Sequence, residues 1–417
     1  MDDGKSIKRK LIIAISICLF FILVGGVLLY FVANKQSALE GADSNVRLSK
    51  QTGFSCEFAE AQKLYPFCDG VLKVTNDRIA YLTISGNEAY SYSVSYSNPF
   101  CVVNGDYSLI ADLDGYSLSV YNKDGQIFSK STTDKIKAGS ISADGFISVI
   151  LDSQEAYGQV NMFDNKGGFI ANWISQDSGY PLATAFSYDS SKLAVTSVNT
   201  NGAVVEPYVK ILDIKLDKNK YVASDYAVFE LNGGDIVSSI VYSDSRFLTF
   251  SSDCAFSIND NELSSLNIEF GSYDYVFDVN GKLFIIYSDG VGQVNNLAII
   301  NSGNSIIYDS MLGNNINAFS SSKDKCVISV DRRIFIFKDN GDIISDISVD
   351  EDVIRVGFIG NDKIVLVIDE LPYWAEKDEA LLSVLQKYID VNWKDKNLKI
   401  ILCGSALSFM EKKVLSE

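Results

Sequence analysis

Two adjacent carboxylates, Asp369 and Glu370, close the apolar run IVLVIDE at residues 364–370. An apolar strand ending in Asp-Glu has the form of a Walker B motif, in which the Asp helps hold Mg²⁺ and the Glu orients an attacking water. Carboxylate-rich turns offer a second chemistry. Asp112 with Asp114, or Asp339 with Asp342, has the oxygen ligands that Ca²⁺ takes, although the chain carries no EF-hand loop. Solvated turn residues are the competing reading. Tyr90, Tyr92 and Tyr96 are spaced for a strand. They would line a carbohydrate- or peptide-binding face, or pack between sheets. The chain has no histidine, which removes Ser-His-Asp triads, imidazole metal ligands and imidazole acid–base chemistry together. A hydrolase would then need paired carboxylates, and the sequence singles out no pair.

Composition narrows the partners. The 417 residues are 47% hydrophobic and 12% aromatic, enough for a large core, and carry a net charge of −17. Such a surface repels phosphate backbones, so no nucleic acid is expected as a partner. The seven cysteines show no CxxC pair and no zinc-ligand spacing. A Cys56–Cys68 bridge would close a short loop; buried free thiols are the alternative.

The elements that must position these residues repeat. The block NGDYSLIADLDGYSLSVYNKDG, residues 104–125, reads as polar turn, strand, Asp-Gly turn, strand, polar turn. Leu109, Ala111 and Leu113, then Tyr116, Leu118 and Val120, alternate as in strands with one buried face. Polar turn pairs precede apolar strands again at Asn76-Asp77, Ala143-Asp144, Tyr188-Asp189, Ser243-Asp244, Asn280-Gly281, Lys323-Asp324 and Asn361-Asp362. Asp106 and Asp362 lie 256 residues apart over six intervals, a period of about 43 residues. That is the length of a four-stranded propeller blade. Asx/Gly clusters ending at Gly125, Gly167, Gly303 and Gly341 suit tight hairpins within each unit. Inserted loops are expected around residues 199–206 and 216–226. A pair of β-sandwiches or a β-solenoid is the competing architecture.

Residues 11–33 are 23 residues without a charge. As a helix they would span roughly 35 Å, enough to cross a membrane. Lys5, Lys8, Arg9 and Lys10 precede them, and only Lys35 follows closely. By the positive-inside rule the N-terminus is cytoplasmic and the rest of the chain lies outside. A cleaved signal peptide would have a shorter apolar region.

The expected organisation is a basic cytoplasmic tail (1–10), a transmembrane helix (11–33), a linker (34–55) and a propeller of seven or eight blades (56–365). An α/β segment (366–417) follows. Over residues 1–365 this layout resembles a family of bacterial membrane-anchored propellers of unknown function. The resemblance implies an extracytoplasmic location at the cell membrane and no known activity.

After residue 365 the repeat stops. Leu381, Val384, Leu385, Tyr388 and Ile389 have helical spacing, and LKIILCG follows as a second apolar strand. Strand–helix–strand is an α/β unit and not a blade. The segments IDELPY (368–373), WKD (393–395) and ILCGS (401–405) follow in order. This run resembles the Walker B to sensor region of the archaeal-type P-loop ATPases. The resemblance implies Asp369 as the Mg²⁺ residue, Glu370 as the water-activating residue, and Ser405 in the nucleotide-binding sensor-like segment. Yet no G-x-x-x-x-G-K-S/T loop precedes them. Without it the β- and γ-phosphates lack their backbone donors. The chain thus reads as two pieces joined near residues 362–368.

The leading expectation is a binding or scaffold module, with an envelope protein or glycan as partner and no cofactor. Mg-ATP enters only under the ATPase alternative. A titration of the protein with a fluorescent ATP analogue and Mg²⁺ is expected to show no saturable binding. Saturable binding abolished by Asp369→Ala would reverse that expectation.

Overall fold

The computed structural model describes residues 55–57, 62–368 and 398–404, apart from 232–235, 252–253, 267–269, 271, 289–293, 350–352 and 360–362. The expected transmembrane helix at 11–33, the helix around Leu381–Ile389, and Asp369, Glu370 and Ser405 lie outside the described residues. Among the described residues no helix is long and apolar enough to cross a membrane.

The described residues form eight four-stranded sheets. The short strand β1 (Ser55–Glu57) comes first. Blade 1 is β2–β5 (Lys63–Phe67, Gly70–Val74, Arg78–Thr83, Glu88–Ser93), and blade 2 is β6–β9 (Pro99–Asn104, Tyr107–Asp112, Ser117–Asn122, Gly125–Ser131). Blade 3 is β10–β13 (Ile136–Ile141, Ile147–Leu151, Gly158–Phe163, Phe169–Ser175), and blade 4 is β14–β17 (Tyr180–Phe186, Lys192–Asn199, Glu206–Asp217, Lys220–Glu230). Blade 5 is β18–β21 (Ser239–Ser243, Arg246–Phe250, Ala255–Asn259, Glu262–Leu266), and blade 6 is β22–β25 (Ser272–Val279, Lys282–Ser288, Asn295–Ile300, Ile306–Gly313). Blade 7 is β26–β29 (Ile316–Ser322, Lys325–Val330, Arg333–Lys338, Ile343–Ser348). These seven are antiparallel sheets of consecutive strands. The eighth joins β30 (Val353–Ile359), β31 (Lys363–Ile368), β32 (Leu398–Gly404) and β1, in the order β30-β31-β32-β1.

The first strands of successive sheets touch from β6 round to β30, and β30 touches β2. The sheets are therefore blades of a closed propeller, with first strands innermost. Between blades sit apolar layers. Phe67, Leu72 and Tyr81 of blade 1 meet Ile110 and Tyr121 of blade 2. Leu64, Val71 and Leu82 of blade 1 meet Ile359, Val365 and Val367 of blade 8.

Burial departs from the one-sided pattern read in the sequence. Ser108 and Ile110 are as fully buried as Leu109 and Ala111 between them. Each middle strand lies between two neighbouring blades, so both of its faces are covered. Tyr116 is exposed because it precedes β8 in the turn.

Most of the repeated turns lead from the first strand of a blade to the second and share left-handed backbone, as at Gly105, Asp244, Asn280 and Lys323. Asn76-Asp77 is the exception, since it joins the second and third strands of blade 1. The equivalent first turn there is Cys68-Asp69. The clusters ending at Gly125, Gly167, Gly303 and Gly341 all fall between third and fourth strands. Residues 199–206 do form a connection. Residues 216–226 are not a loop: β16 and β17 are simply long, at 12 and 11 residues. The eighth sheet extends past residue 365, which lies inside β31. There β31 and β32 pair in parallel, with Ile364 opposite Leu398. Parallel neighbours require a crossover connection, and the residues that make it, 369–397, lie outside the described residues.

Asp112 holds the entry to blade 2. Its buried carboxylate accepts hydrogen bonds from the backbone N–H groups of Ser97 (2.8 Å) and Asn98 (2.7 Å). Asp331 does the same for Asn314 (3.0 Å) and Asn315 (3.1 Å) at the entry to blade 7. Asp112→Ala leaves two donors without an acceptor and is expected to cost roughly 2–4 kcal/mol in urea unfolding. A loss below about 0.5 kcal/mol would mean that water replaces the carboxylate.

Candidate functional site

The inner strands enclose a cavity of about 1630 Å³ on the propeller axis, lined by residues of all eight. The sequence sets these strands apart. Second and third strands are apolar runs such as ISVIL and KLFIIYS. First strands such as IKAGSI, YPLATAF and INAFSSS are small and hydroxylated. Small residues at the axis leave room, and the hydroxyls satisfy one another. Ser140, Ser148 and Thr184 form a triangle with oxygen separations of 2.7–2.9 Å that ties blade 3 to blade 4.

The described first turns lie at one end of this channel and form its mouth. Exposed carboxylates gather there, among them Asp106, Asp144, Asp189, Asp244 and Asp324. Lys323 is a cation at the same rim. Just inside, the half-buried Asp278 accepts a hydrogen bond from Ser243 (2.5 Å) and another from Tyr188. Burial raises the Asp278 carboxyl above its ordinary range, more than these two hydrogen bonds lower it. Burial and the bond to Asp278 push the Tyr188 hydroxyl upward as well.

Deeper in the channel, the Arg355 guanidinium lies over the Tyr65 ring, 4.2 Å from its centroid. Burial pushes the nearby Cys101 thiol up to about 12, with Arg355 offsetting only part of that rise. The Cys68 thiol is likewise pushed to about 12, by burial and then by Asp106. Both are protonated at neutral pH and are poor nucleophiles. Cys68 is a free thiol, so it forms no bridge to Cys56.

The carboxylate pairs read as Ca²⁺ ligands have other partners. Asp112 caps backbone amides, and Asp114 pairs with Lys137 at 2.8 Å. Asp339 takes Lys282 (2.8 Å) and the Asn280 amide (2.7 Å), while Asp342 takes the Asn340 amide. Among the described residues no three metal-ligating side chains converge. The tyrosines pack between blades 1 and 2. Tyr90 stacks on Tyr81 and on Tyr121, and its hydroxyl donates to the Asn122 carbonyl at 2.9 Å. The Tyr92 hydroxyl accepts from the Gln126 N–H, and the Tyr96 hydroxyl meets that of Ser119. The channel residues Arg355, Tyr65, Asp278 and Thr184 did not stand out in the sequence. The signal was the small, hydroxylated first strand ahead of some of the turn pairs, as in IKAGSI, YPLATAF and INAFSSS.

Fold and channel together define a β-propeller with an axial cavity. The chain belongs to a family of unknown function, DUF5711, whose profile matches residues 45–371. Its fold is similar to that of BamB from Moraxella catarrhalis, with a TM-score of 0.50 at 11% identity, covering 77% of this chain and 97% of that one. AztD from Citrobacter koseri is similar over 69% of this chain and 86% of its own, with a TM-score of 0.49 at 10% identity. A stretch of 52 residues is 36% identical to an uncharacterized protein of Methanocaldococcus jannaschii. It spans 12% of this chain and 12% of that protein.

Because the folded Asp278 carboxyl titrates above its unfolded value, the folded state holds the proton more tightly. Asp278 therefore destabilises the propeller as pH rises through and beyond the ordinary carboxylate range. Relative to the wild type, Asp278→Asn is expected to gain stability between pH 4 and pH 7 in urea unfolding. A constant difference across that range would mean that Asp278 titrates normally.

Proposed function

We propose that the protein is a single-pass membrane protein whose propeller lies outside the cytoplasm and serves as a binding or scaffold module at the cell envelope. Its partner is an envelope protein or glycan, engaged through the axial channel and its acidic mouth. The observation that carries this reading is the channel itself. It is large, built by every blade, and lined with small, hydroxylated and aromatic side chains. The pattern matches a recognition surface, with aromatic faces and a few placed polar groups. A chain without histidine supplies no imidazole acid or base for a reaction there.

The placement rests on the uncharged run at 11–33 and the four cations just before it. Protease added to intact spheroplasts is expected to remove the propeller and leave a short membrane-protected N-terminal piece. Full protection until the membrane is lysed would overturn the topology.

A further inference from the structure

We propose that Arg355 anchors a carboxylate in the channel, and that the ligand is a zwitterionic peptide, its C-terminal carboxylate inside and its cationic end at the acidic mouth. A free short peptide has both charges; the C-terminus of a protein partner shares this chemistry only where a basic side chain lies about three residues before it. The inference rests on the reading of the channel as the binding site.

The first observation concerns charge pairing. The chain has 53 acidic and 36 basic residues, so a partly buried cation readily finds a carboxylate. Lys192 pairs with Asp213 (3.0 Å), Lys210 with Asp225 (2.7 Å) and Lys282 with Asp339 (2.8 Å), and Arg333 pairs with Asp346. Among the described residues Arg355 has no carboxylate. Its guanidinium carbon lies over the Tyr65 ring, and a guanidinium that stacks on an aromatic face keeps its in-plane N–H groups to donate. A planar, bidentate acceptor such as a carboxylate matches that fork.

The second observation is that the backbone is built to hold Arg355 there. Gly357 lies two residues further along β30 on the same face, and a Cβ at that position would overlap Pro66 of β2. Only glycine allows the close approach of these strands that sets Arg355 on Tyr65.

The third observation is the polarity along the axis. Arg355 lies four residues before the end of β30, about 13 Å of strand from the mouth. An extended peptide of about four residues covers that distance. At the mouth Asp106, Asp244 and Asp278 present carboxylates. Free polyanions are repelled by that rim, whereas a peptide with a cationic end is drawn to it.

The test uses the full-length protein in equilibrium dialysis against pooled tetrapeptides, read by mass spectrometry. One pool has free termini, one is C-terminally amidated and one is N-acetylated. The free pool is expected to be retained at least tenfold better than either modified pool. Arg355→Gln is expected to abolish that preference with the melting temperature unchanged. Arg355→Lys, which keeps the charge and loses the fork, should fall between. Equal retention of acid and amide pools would overturn the carboxylate anchor. If that retention disappears in Ala318→Trp, which fills the channel, the channel stays a binding site without the anchor. Equal retention of the acetylated pool would overturn the zwitterion, and so would displacement by inorganic phosphate at the peptide's own concentration. No retention of any pool would overturn the peptide inference and leave the envelope placement to the protease test.

Discussion

Every blade of this protein depends on its neighbours to bury both faces of its middle strands, so the ring must close. Closure falls between blade 8 and blade 1, where Leu64, Val71 and Leu82 meet Ile359, Val365 and Val367. Each fully buried side chain of this kind contributes about 1.5–3 kcal/mol. Opening that layer would expose two sheet faces at once. The close approach of Gly357 to Pro66 lies on the same seam, at the axis. The eighth sheet spreads the task over the chain, since β1 pairs with β32 and β32 with β31. Residues from both ends of the propeller sequence thus share one set of backbone hydrogen bonds. Exchanging strands in this way leaves the ring without a simple unzipping point.

Closure also creates the channel. Eight inner strands cannot all meet on an axis, and the space they leave is set by the size of their side chains. The middle strands carry large apolar residues because they face other blades. Several inner strands, those of blades 3, 4 and 7, carry Ala, Ser and Thr where they face the cavity. Hydroxyls bond across blades, on the inner strands as Ser140 does with Thr184, and in the turns that follow them as Ser190 does with Ser142 (2.8 Å). The channel wall is therefore mixed, with apolar and hydroxylated residues, and part of its hydroxyl lining is paired across blades.

Much of this architecture was legible in the sequence, and for a physical reason. Two-residue hairpins need left-handed backbone, so Asn, Asp and Gly recur at fixed points. The spacing from Asp106 to Asp362 measured the blade. Blade 1 breaks the phase because its first turn, Cys68-Asp69, lacks that composition, and the more typical Asn76-Asp77 falls one hairpin later. The long β16–β17 hairpin reads as loop because Lys, Asp and Asn crowd its tip at residues 215–220. One-sided alternation was the wrong pattern for the middle strands, where Ser108 and Ser119 are buried and polar. A serine in a period-two pattern suggests solvent, but it is equally at home between two sheets. The channel could not be read at all, because successive first strands begin 33 to 59 positions apart in the chain and share only a place in the ring.

Charge separates the residues that hold the ring from those free to do something else. In a chain with net charge −17, most partly buried cations are committed to carboxylates on adjacent strands or blades. The carboxylates of Asp112 and Asp331 are committed in turn to the backbone at blade entries. These pairs are satisfied, and each is explained by the fold. Arg355 is not explained in that way, since a neutral side chain of similar shape would stack on Tyr65 without desolvating a charge. Among the described residues Asp278 is likewise half-buried without a cation, and burial raises its carboxyl. Both lie on inner strands and face the same cavity, with opposite charges. Proteins depart from locally favourable choices mainly where function requires it. On that argument the axis of the ring is where stability has given way to recognition.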